Sequence, residues 1–505
     1  MSTDLRPYQL DVLARVREAA TAGYNRILLV AATGAGKTVI GGSLIRDAER
    51  DFAHSLFIAH RRELIDQTSR RLRVEGVNAS VILAGRDGQY DARARTQVAG
   101  IQSLGARLRS KRVSRPNVDL FIIDEAHHAR ARTYRQLVDA YPDAIIVGLT
   151  ATPCRGDGRG LGKVFDVMIE CPPVPELIRQ GYLVPTVRYS HPSPDLKGVA
   201  SSKITGDWQV SSLSERMNTD KLVGDLVEHW LRLAQGRKTV IFAVDVAHSV
   251  HIAREFNAAG IPTGHIDGST PIDEREETLR KLSSGELRVV SNCMVLTEGW
   301  DQPDVSCAVI ARPTKSLGLH LQMVGRVLRP APGKVDALLL DHAGNLLRHG
   351  SPEDEITWTL EEDNKAENKS LAARKVKEAK GETVWCPACK PKEVPLVLGC
   401  CPECGWKPKP KAVAVDVVDG ELVAMGSGKQ QGWTSASKHD FHRQLVWIAR
   451  ERGYRDGWVF HKYRQKFGHS PPFGAPPAPA MPAPETLAWV RSRAIAYAKA
   501  KGKAA

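Results

Sequence analysis

The length, composition and charge of the chain exclude several classes of protein. With 505 residues, of which 42% are hydrophobic and 25% charged, it has the composition of a globular protein of about three domains. The net charge of +14 favours a polyanionic partner. No apolar stretch reaches the roughly 18–20 residues of a membrane span, and the N-terminus lacks a signal-peptide core, so we expect a cytoplasmic protein with no membrane partner.

Alternating strands and helices are predicted through the first two thirds of the chain. Runs that are apolar on both faces and separated by helix-like segments are typical of buried parallel strands. One set of such runs occupies residues 26–32, 55–59, 119–124 and 144–150. A second set occupies residues 238–244, 286–292, 305–311 and 335–341, with helices predicted over 272–282 and 317–328. The pattern predicts an α/β fold with two doubly wound parallel sheets.

A glycine-rich segment directly after the first strand has the spacing of a phosphate-binding loop. The segment reads AATGAGKT and begins with Ala31, where such loops usually have glycine. Gly34 and Gly36 allow backbone N–H groups to close around phosphate oxygens, and the following helix offers its positive N-terminus. Lys37 is predicted to neutralise the β- and γ-phosphates of ATP, and Thr38 to ligate Mg²⁺.

An acidic pair follows the third apolar run, in the sequence DLFIIDEAHH. Asp124 and Glu125 end a buried strand, at the edge where ligands bind in open α/β sheets. Asp124 is predicted to hold Mg²⁺, and Glu125 to orient and deprotonate the attacking water. An Asp-Glu pair can also cap the next helix, but the phosphate loop upstream in the same sheet favours the ATP site.

These motifs resemble the superfamily 2 helicases and translocases, whose DEAH box has the spelling found at residues 124–127. Further motifs of that family follow in order: LRPYQ at 5–9, AHRREL at 59–64, GIQSL at 100–104, TATP at 150–153, VIFAV at 240–244, HIDGSTP at 265–271, LTEGWD at 296–301 and QMVGRVLRP at 322–330. The resemblance covers residues 5–345. It implies two RecA-like domains that hydrolyse ATP in their shared cleft.

The resemblance also implies roles for individual residues. Gln9 is expected to read the adenine base, and His127 to link the acidic pair to the TATP segment. The expected nucleotide contacts are Arg6, Gln9, Thr33, Gly34, Ala35, Gly36, Lys37, Thr38, Gly299 and Asp301, with Mg²⁺ held by Thr38 and Asp124. The expected catalytic groups are Lys37, Asp124, Glu125, His127, Gln322, Arg326 and Arg329.

Two arginines of the last motif have a physical reason to act across the cleft. A helix from Gln322 to Arg329 would place Gln322, Arg326 and Arg329 on one face, with both guanidiniums directed at the γ-phosphate. In contrast, adjacent histidines on a strand or helix point apart. His128 is therefore predicted to be structural and not half of a metal-ligand pair with His127.

A cluster of cysteines lies beyond the second sheet. WCPAC and CPECGW hold two C-x₂-C pairs, Cys386 with Cys389 and Cys401 with Cys404. This spacing predicts one tetrahedral Zn²⁺ site in a zinc-ribbon-like hairpin. Cys400 is an alternative to Cys401, although the second pair would then be C-x₃-C. This zinc module either has a purely structural role or binds a partner, which would be DNA or another protein.

The C-terminal segment is basic and aromatic. Residues 437–468 have apolar residues at helical spacing among many basic ones, which predicts a small helical module that contacts either nucleic acid or a partner. The predicted organisation is a first RecA-like domain (1–190), a linker (191–219), a second RecA-like domain (220–350), a charged connector (351–384), a zinc-binding module (385–410), a basic aromatic module (411–470), and a proline-rich tether with a basic helix (471–505).

The DEAH box with its second histidine, the TEGWD string and the four-cysteine module together most resemble RadD-type bacterial DNA-repair ATPases. They are also similar to helicase subunits of phage and restriction systems. We therefore expect a helicase or translocase that acts on DNA, rather than RNA, in repair, recombination or replication. The alternative is a DNA-stimulated ATPase that remodels nucleoprotein complexes without unwinding. The zinc module or the C-terminal tail is the expected contact for a protein partner.

Overall fold

The fold was taken from a computed structural model of the chain. The model describes residues 5–129, 131–154, 160–190, 194, 196, 198–202, 206–361, 367–368, 383–385, 393–395, 423–424, 435–467, 471, 477–483, 486–487 and 489–490. The four cysteines of the predicted zinc site lie outside this range, as do most of the charged connector and of the terminal basic helix. None of the helices in the described part is suited to cross a membrane.

The first domain is a seven-stranded parallel sheet with helices on both faces. Its elements are α1 (Pro7–Thr21), β1 (Arg26–Val30), α2 (Lys37–Arg50), β2 (Ser55–Ala59), α3 (Arg62–Val74), β3 (Ala79–Ile82), β4 (Thr96–Gly100), α4 (Ile101–Arg109), β5 (Leu120–Asp124), α5 (Arg132–Val138), β6 (Ile145–Thr150), β7 (Val167–Glu170) and α6 (Val174–Arg179). The strand order in the sheet is β3-β4-β2-β5-β6-β1-β7. Strands β2 and β5 are buried along their whole length, which explains why their sequences lack polar alternation.

The second domain repeats this architecture. Its strands include β8 (Thr186–Ser190), β9 (Thr239–Phe242), β10 (Thr263–Ile266), β11 (Val289–Asn292), β12 (Cys307–Ile310) and β13 (Ala337–Asp341). Its helices are α7 (Val210–Met217), α8 (Asp220–Leu233), α9 (Val246–Ala258), α10 (Ile272–Ser284), α11 (Leu317–Gly325) and α12 (Asn345–His349). The strand order is β10-β11-β9-β12-β13-β8, and a short antiparallel strand, Val423–Ala424, pairs with the outer edge of β8. The predicted α/β fold with two parallel sheets is confirmed.

The predicted boundary between the two domains is wrong. Residues 186–190 were assigned to the first domain (1–190), but β8 pairs in parallel with β13 of the second sheet. The predicted linker (191–219) is also only partly a linker, because it contains α7, whose Leu213 and Met217 pack against Val244 of the second domain. The sequence could not reveal this, since a single short strand carries no local signal of which sheet it joins.

The described part of the C-terminal region contains small elements. Two short antiparallel pairs join β14 (Ile356–Thr357) to β15 (Glu367–Asn368) and β16 (Thr383–Trp385) to β17 (Glu393–Pro395), and β18 is the edge strand at Val423–Ala424. Helices α13 (Ser435–Glu451) and α14 (Asp456–Phe467) lie within the predicted basic aromatic module.

Candidate active site

The phosphate-binding loop joins β1 to α2 and has the backbone that its glycines allow. Gly34 and Gly36 have φ values of +90° and +83°, in the left-handed region that favours glycine. A Cβ atom on Gly36 would lie 2.6 Å from Nε2 of Gln9, so any other residue there would displace the Gln9 side chain and also strain the backbone. Gly36 caps the N-terminus of α2, whose first N–H groups and positive end suit a bound phosphate.

The LRPYQ segment packs directly on the phosphate-binding loop. Tyr8 Oη donates to the carbonyl of Ala35 at 2.5 Å, and Gln9 Nε2 lies 3.4 Å from the same oxygen. The Arg6 guanidinium lies 4.4 Å from the centre of the Tyr182 ring, which is also 5.4 Å from the ring of Tyr8. The structure thus brings the predicted Gln9 onto the phosphate-binding loop and Arg6 next to Tyr8, and their contacts with a nucleotide stay a prediction. Tyr182, far along the chain and outside any motif, was not predicted.

The acidic pair ends β5, next to the lysine of the phosphate-binding loop. Glu125 adopts a left-handed conformation with φ of +49°, a strained geometry for a residue with a side chain and one that is common at functional sites. Its Oε1 lies 4.0 Å from Lys37 Nζ, and both side chains are largely buried. Its Oε2 is buried and has no hydrogen-bond partner among the described residues. The carboxylate is therefore placed to accept a bond from a group in the cleft.

The environment of Asp124 fits a divalent cation. Asp124 is only 2% exposed, and its burial, together with the neighbouring Glu125 carboxylate, raises its pKa to about 7. A bound cation would reverse that shift, because it stabilises the ionised form that burial disfavours. Carboxylate and hydroxyl oxygens are the ligands that Mg²⁺ prefers. Asp124 and Thr38, the second residue of α2, would hold it.

His127 connects the acidic pair to the TATP segment, as predicted. Its Nδ1 lies 3.3 Å from Thr150 Oγ1 and 3.5 Å from Glu125 Oε2. Thr150 in turn accepts from the backbone N–H of Thr152 at 3.1 Å. The TATP segment also meets the second domain, since a Cβ on Gly318 of α11 would lie 3.2 Å from Thr152 Oγ1. His127 and the TATP segment therefore form a chain of contacts from the second domain to the acidic pair, through which a movement of one domain relative to the other can be transmitted.

The predicted helix from Gln322 to Arg329 is wrong in its second half. Helix α11 ends at Gly325, with Arg326 as its C-cap, and the chain continues in turns. Pro330 disfavours a helical conformation at Arg329, the residue before it, so a helix could not have continued through Arg329. Gln322 and Arg326 still lie on one face, with Arg326 Nε donating to the Gln322 carbonyl at 3.4 Å.

Arg326 and Arg329 nevertheless lie at the cleft. Arg326 is buried and donates to the Trp300 carbonyl at 2.8 Å; burial and the nearby Arg329 lower its pKa to about 10, so it stays charged at neutral pH. Arg329 forms an ion pair with Asp301. A Cβ on Gly34 would lie 3.1 Å from Arg329 Cγ, so this arginine approaches the phosphate-binding loop from the opposite domain.

Other predicted nucleotide contacts lie at the same domain boundary. A Cβ on Gly325 would lie 2.5 Å from Thr33 Cβ, so α11 packs closely on the phosphate-binding loop. Gly299 has φ of +71°, and its carbonyl accepts from Gln67 Nε2 of α3 at 2.9 Å. Gly299 thus contacts α3. For Gly299 and for Asp301, which pairs with Arg329, a nucleotide contact stays a prediction.

Glu298 is the functional residue that sequence reasoning missed. It lies in the loop after β11, is 8% exposed, and joins the two domains. Its Oε2 lies 2.8 Å from His60 Nε2 and 3.1 Å from Arg61 Nε, both in the first domain. Its Oε1 accepts from Gln322 Nε2 of the second domain at 3.2 Å. The TEGWD motif identified this segment as functional, but it did not indicate that Glu298 is the residue that bridges the two domains.

The prediction that the adjacent histidines point apart is wrong. Their rings are 4.2 Å apart, and His127 and His128 each place Nε2 within 4 Å of Glu298 Oε1, at 3.6 and 3.8 Å. They converge because they lie in a 3₁₀ turn, Ala126–His128, and not in a strand or an α-helix. Burial would raise the pKa of Glu298, but the nearby rings of His127, His128 and His60 hold it well below its ordinary value.

Within the described residues, one group of side chains is close enough to share a transition-metal ion. His60, His128 and Glu298 place their ligand atoms within 4.8 Å of one another. However, Arg61 donates to the same carboxylate, and its fixed positive charge opposes a second cation there. We therefore assign the cluster an ion-pair role that holds the two domains together.

Replacing Glu298 with Gln is expected to lower kcat for ATP hydrolysis by roughly tenfold or more, because the loss of a buried charge partner typically costs at least 2 kcal/mol. The neutral amide would leave Arg61 and the histidines without their counter-charge and favour an open cleft. KM for ATP should change little, since Glu298 contacts no part of the phosphate-binding loop. Steady-state kinetics measure both values. Glu286→Gln, at an exposed glutamate of the same domain, is the matched control, and an unchanged kcat in Glu298→Gln would contradict the assigned role.

Taken together, the described residues on the two sides of the cleft form a site suited to ATP hydrolysis. Models of two protein families match the two sheets separately: "Type III restriction enzyme, res subunit" over residues 2–155, and "Helicase conserved C-terminal domain" over residues 221–331.

Three curated proteins illustrate the relationship. The 51.5 kDa protein of Lactococcus phage 7-9 is 33% identical over 325 residues, which cover 64% of this chain and 67% of the phage protein. IRC3 of Saccharomyces cerevisiae, which carries the name of an ATP-dependent helicase, is 32% identical over 363 residues, or 67% of this chain and 51% of IRC3. The DNA 3'-5' translocase XPB2 of Sulfurisphaera tokodaii is 25% identical over 368 residues, or 65% and 79%. The chain thus spans about half the length of the yeast relative.

Solved structures share the fold. A fragment of an HsdR-type subunit of a type I restriction enzyme from Vibrio vulnificus matches with a TM-score of 0.54 and 22% identity, over 68% of this chain and 65% of the fragment. The restriction-modification enzyme LlaBIII bound to DNA matches with a TM-score of 0.52 and 17% identity, over 67% and 28%. The chain belongs to the superfamily 2 helicases, a family of ATP-hydrolysing enzymes.

Proposed function

We propose that this protein is a DNA-dependent helicase or translocase that couples ATP hydrolysis to movement of its two RecA-like domains. The observation that carries the proposal is the division of the site between the domains. Lys37 and Glu125 lie on one side, Arg329 approaches the phosphate-binding loop from the other, and Arg326 is buried within electrostatic range of Glu125. Such a site is complete only when the cleft is closed. A ligand that bridges the domains would therefore control the rate of hydrolysis.

In this mechanism, each residue has a distinct task. The backbone of the phosphate-binding loop and Lys37 bind the β- and γ-phosphates. Glu125 orients the attacking water and accepts its proton. Arg326 and Arg329 stabilise the charge that develops on the transferred phosphoryl group. Mg²⁺, when bound, neutralises charge on the phosphate oxygens.

DNA is the nucleic acid that the relatives favour. The first domain matches a restriction-enzyme family, XPB2 is named as a DNA translocase, and LlaBIII was solved with DNA. The chain's net charge of +14 suits a DNA partner, whose phosphates are negatively charged. A role in repair, recombination or replication is the corresponding proposal for the cell.

Steady-state ATP hydrolysis tests the proposal when it is measured at fixed salt with no nucleic acid, single-stranded DNA, duplex DNA and RNA. We expect strong stimulation by DNA and little by RNA. Equal rates in all four would refute a nucleic-acid-dependent motor and direct attention to a protein partner. Strand displacement with a forked duplex then separates helicase activity from its alternative, an ATPase that remodels nucleoprotein complexes without unwinding.

We also propose one Zn²⁺ ion per chain, held by Cys386, Cys389, Cys401 and Cys404, because two C-x₂-C pairs at this spacing favour a tetrahedral thiolate site. Metal analysis of the purified full chain tests this. Cys386→Ser should lose the zinc, whereas Cys293→Ser, at a free cysteine of the second domain, should keep it. Zinc retained in Cys401→Ser but lost in Cys400→Ser would show that Cys400 is the ligand.

A further inference from the structure

The basic aromatic module contains a helical hairpin with its own small core. Helices α13 and α14 pack against each other through a cluster of buried apolar side chains, to which a later segment adds two residues. The helices contribute Phe441, Leu445, Val446, Ile448, Ala449, Val459 and Tyr463, and the later segment contributes Trp489 and Val490. Trp458, at the start of α14, packs against the edge of this cluster. The buried core therefore supports the turn that connects the two helices. This turn has no role in the proposed mechanism of ATP hydrolysis.

The turn between the two helices has a defined backbone. Gly453 has φ of +64°, and its N–H donates to the Arg450 carbonyl at 3.3 Å. The next N–H, that of Tyr454, donates to the Ala449 carbonyl at 2.8 Å. These two bonds, with glycine in the left-handed position, form a Schellman motif that ends α13. The position of Tyr454 is consequently fixed by the backbone before any ligand binds.

Tyr454 rests on an anchored tryptophan. The rings of Tyr454 and Trp458 are 4.7 Å apart with an angle of 33° between their planes. Trp458 is held against the core of the hairpin, whereas Tyr454 remains 39% exposed. An aromatic ring supported on one side and open to solvent on the other is a surface on which a planar group can stack.

The segment that holds this ring is rich in arginine, and it also contains Glu451 and Asp456. Arg450, Arg452 and Arg455 are all exposed, and none of them forms an ion pair within the described part of the chain. Arginine at an exposed turn suits phosphate oxygens, which its guanidinium contacts through two parallel hydrogen bonds. The turn therefore offers one aromatic ring on which a base can stack. It also offers three guanidiniums that can contact the phosphates of the same nucleic-acid strand.

We propose that this turn, residues 450–458, is a binding site for single-stranded nucleic acid, in which an unpaired base stacks on Tyr454 and the arginines contact the flanking phosphates. The site requires an unpaired base because a base within a duplex has its faces covered. This inference rests on the proposed function and deepens it, since it places a contact for the unwound or single strand outside the motor domains.

The test compares binding of the full chain to two fluorescent oligonucleotides of equal length, one intact and one abasic. Both carry the same phosphates, so only the intact strand can stack. Tyr454→Ala is expected to bind the intact strand roughly tenfold more weakly and the abasic strand as wild type does. Tyr454→Phe, which keeps the ring, should retain wild-type binding.

Phe460→Ala is the matched control, because Phe460 is 40% exposed on the same hairpin but lies in α14, away from the turn. It should bind both strands as wild type does; an equal loss in Phe460→Ala would overturn the assignment to Tyr454. Replacing Arg450, Arg452 and Arg455 together with Ala should reduce the salt dependence, the slope of log K against log salt, by about 2 if each arginine contacts one phosphate.

The failure of this inference and the failure of the proposed function have different signatures. If single-stranded DNA stimulates ATP hydrolysis but Tyr454→Ala and wild type bind the intact strand equally, the turn is not the site and the motor assignment stands. If wild type neither binds the strand nor responds to it, both fail. Basal ATP hydrolysis should be unchanged in every turn variant, because the turn contacts no described residue of the cleft.

Discussion

Replacing Glu125 with Gln is expected to lower kcat for ATP hydrolysis by at least about 100-fold, the usual effect of removing a general base. Gln keeps the size of the side chain but cannot accept the proton of the attacking water. The carboxylate also has a buried oxygen without a hydrogen-bond partner among the described residues, so this atom is the one that the substrate water would engage. Steady-state hydrolysis with DNA present measures the loss.

ATP binding should survive in this variant, because Lys37 and the phosphate-binding loop remain. Equilibrium binding of a fluorescent ATP analogue checks that the site is still formed. Lys37→Ala should lose both binding and hydrolysis, which distinguishes the lysine from the base. Glu277→Gln, at an exposed glutamate of α10, should behave as wild type. Full turnover by Glu125→Gln would mean that another group activates the water.

Replacing Arg326 with Ala is expected to lower kcat by a factor of about 10³ or more, the scale of arginine-finger effects. Arg326 is buried at the cleft, and its charge survives at neutral pH although burial lowers its pKa to about 10. Removing it would take away one of the two guanidiniums that the second domain offers to the developing negative charge, and Arg329 alone would remain. Single-turnover hydrolysis measures the chemical step directly.

Because Arg326 also donates to the Trp300 carbonyl, a lower rate in Arg326→Ala must be distinguished from unfolding of the second domain. Arg326→Lys keeps a positive charge but not the two-pronged geometry, and it should recover only part of the rate. Arg329→Ala, at a less buried arginine, gives a second estimate. Thermal unfolding of each variant, compared with that of Arg288→Ala at an exposed arginine, separates catalysis from stability. Wild-type single-turnover rates in both Arg326 and Arg329 variants would refute a trans-domain role.

The local chemistry of the site was determined by the sequence itself. The phosphate-binding loop needs glycine at two left-handed positions and a lysine beside them, and these requirements concern consecutive residues. The acidic pair follows a run of apolar residues because a buried parallel strand ends there. Both signals are contained in a short stretch of chain. The predicted pair of parallel sheets is confirmed, and the ATP site between them stays a prediction.

Contacts between distant residues were decided only by the tertiary structure. Glu298 meets His60 across 238 residues of sequence, and Tyr182 meets Arg6 although neither has a local signal that names the other. The same holds for β8, which joined the second sheet, and for His127 and His128, which a 3₁₀ turn brought to one carboxylate. The direction of a side chain in a turn, and the sheet that a strand joins, depend on packing between segments that are distant in sequence. The sequence of one segment alone does not determine that packing.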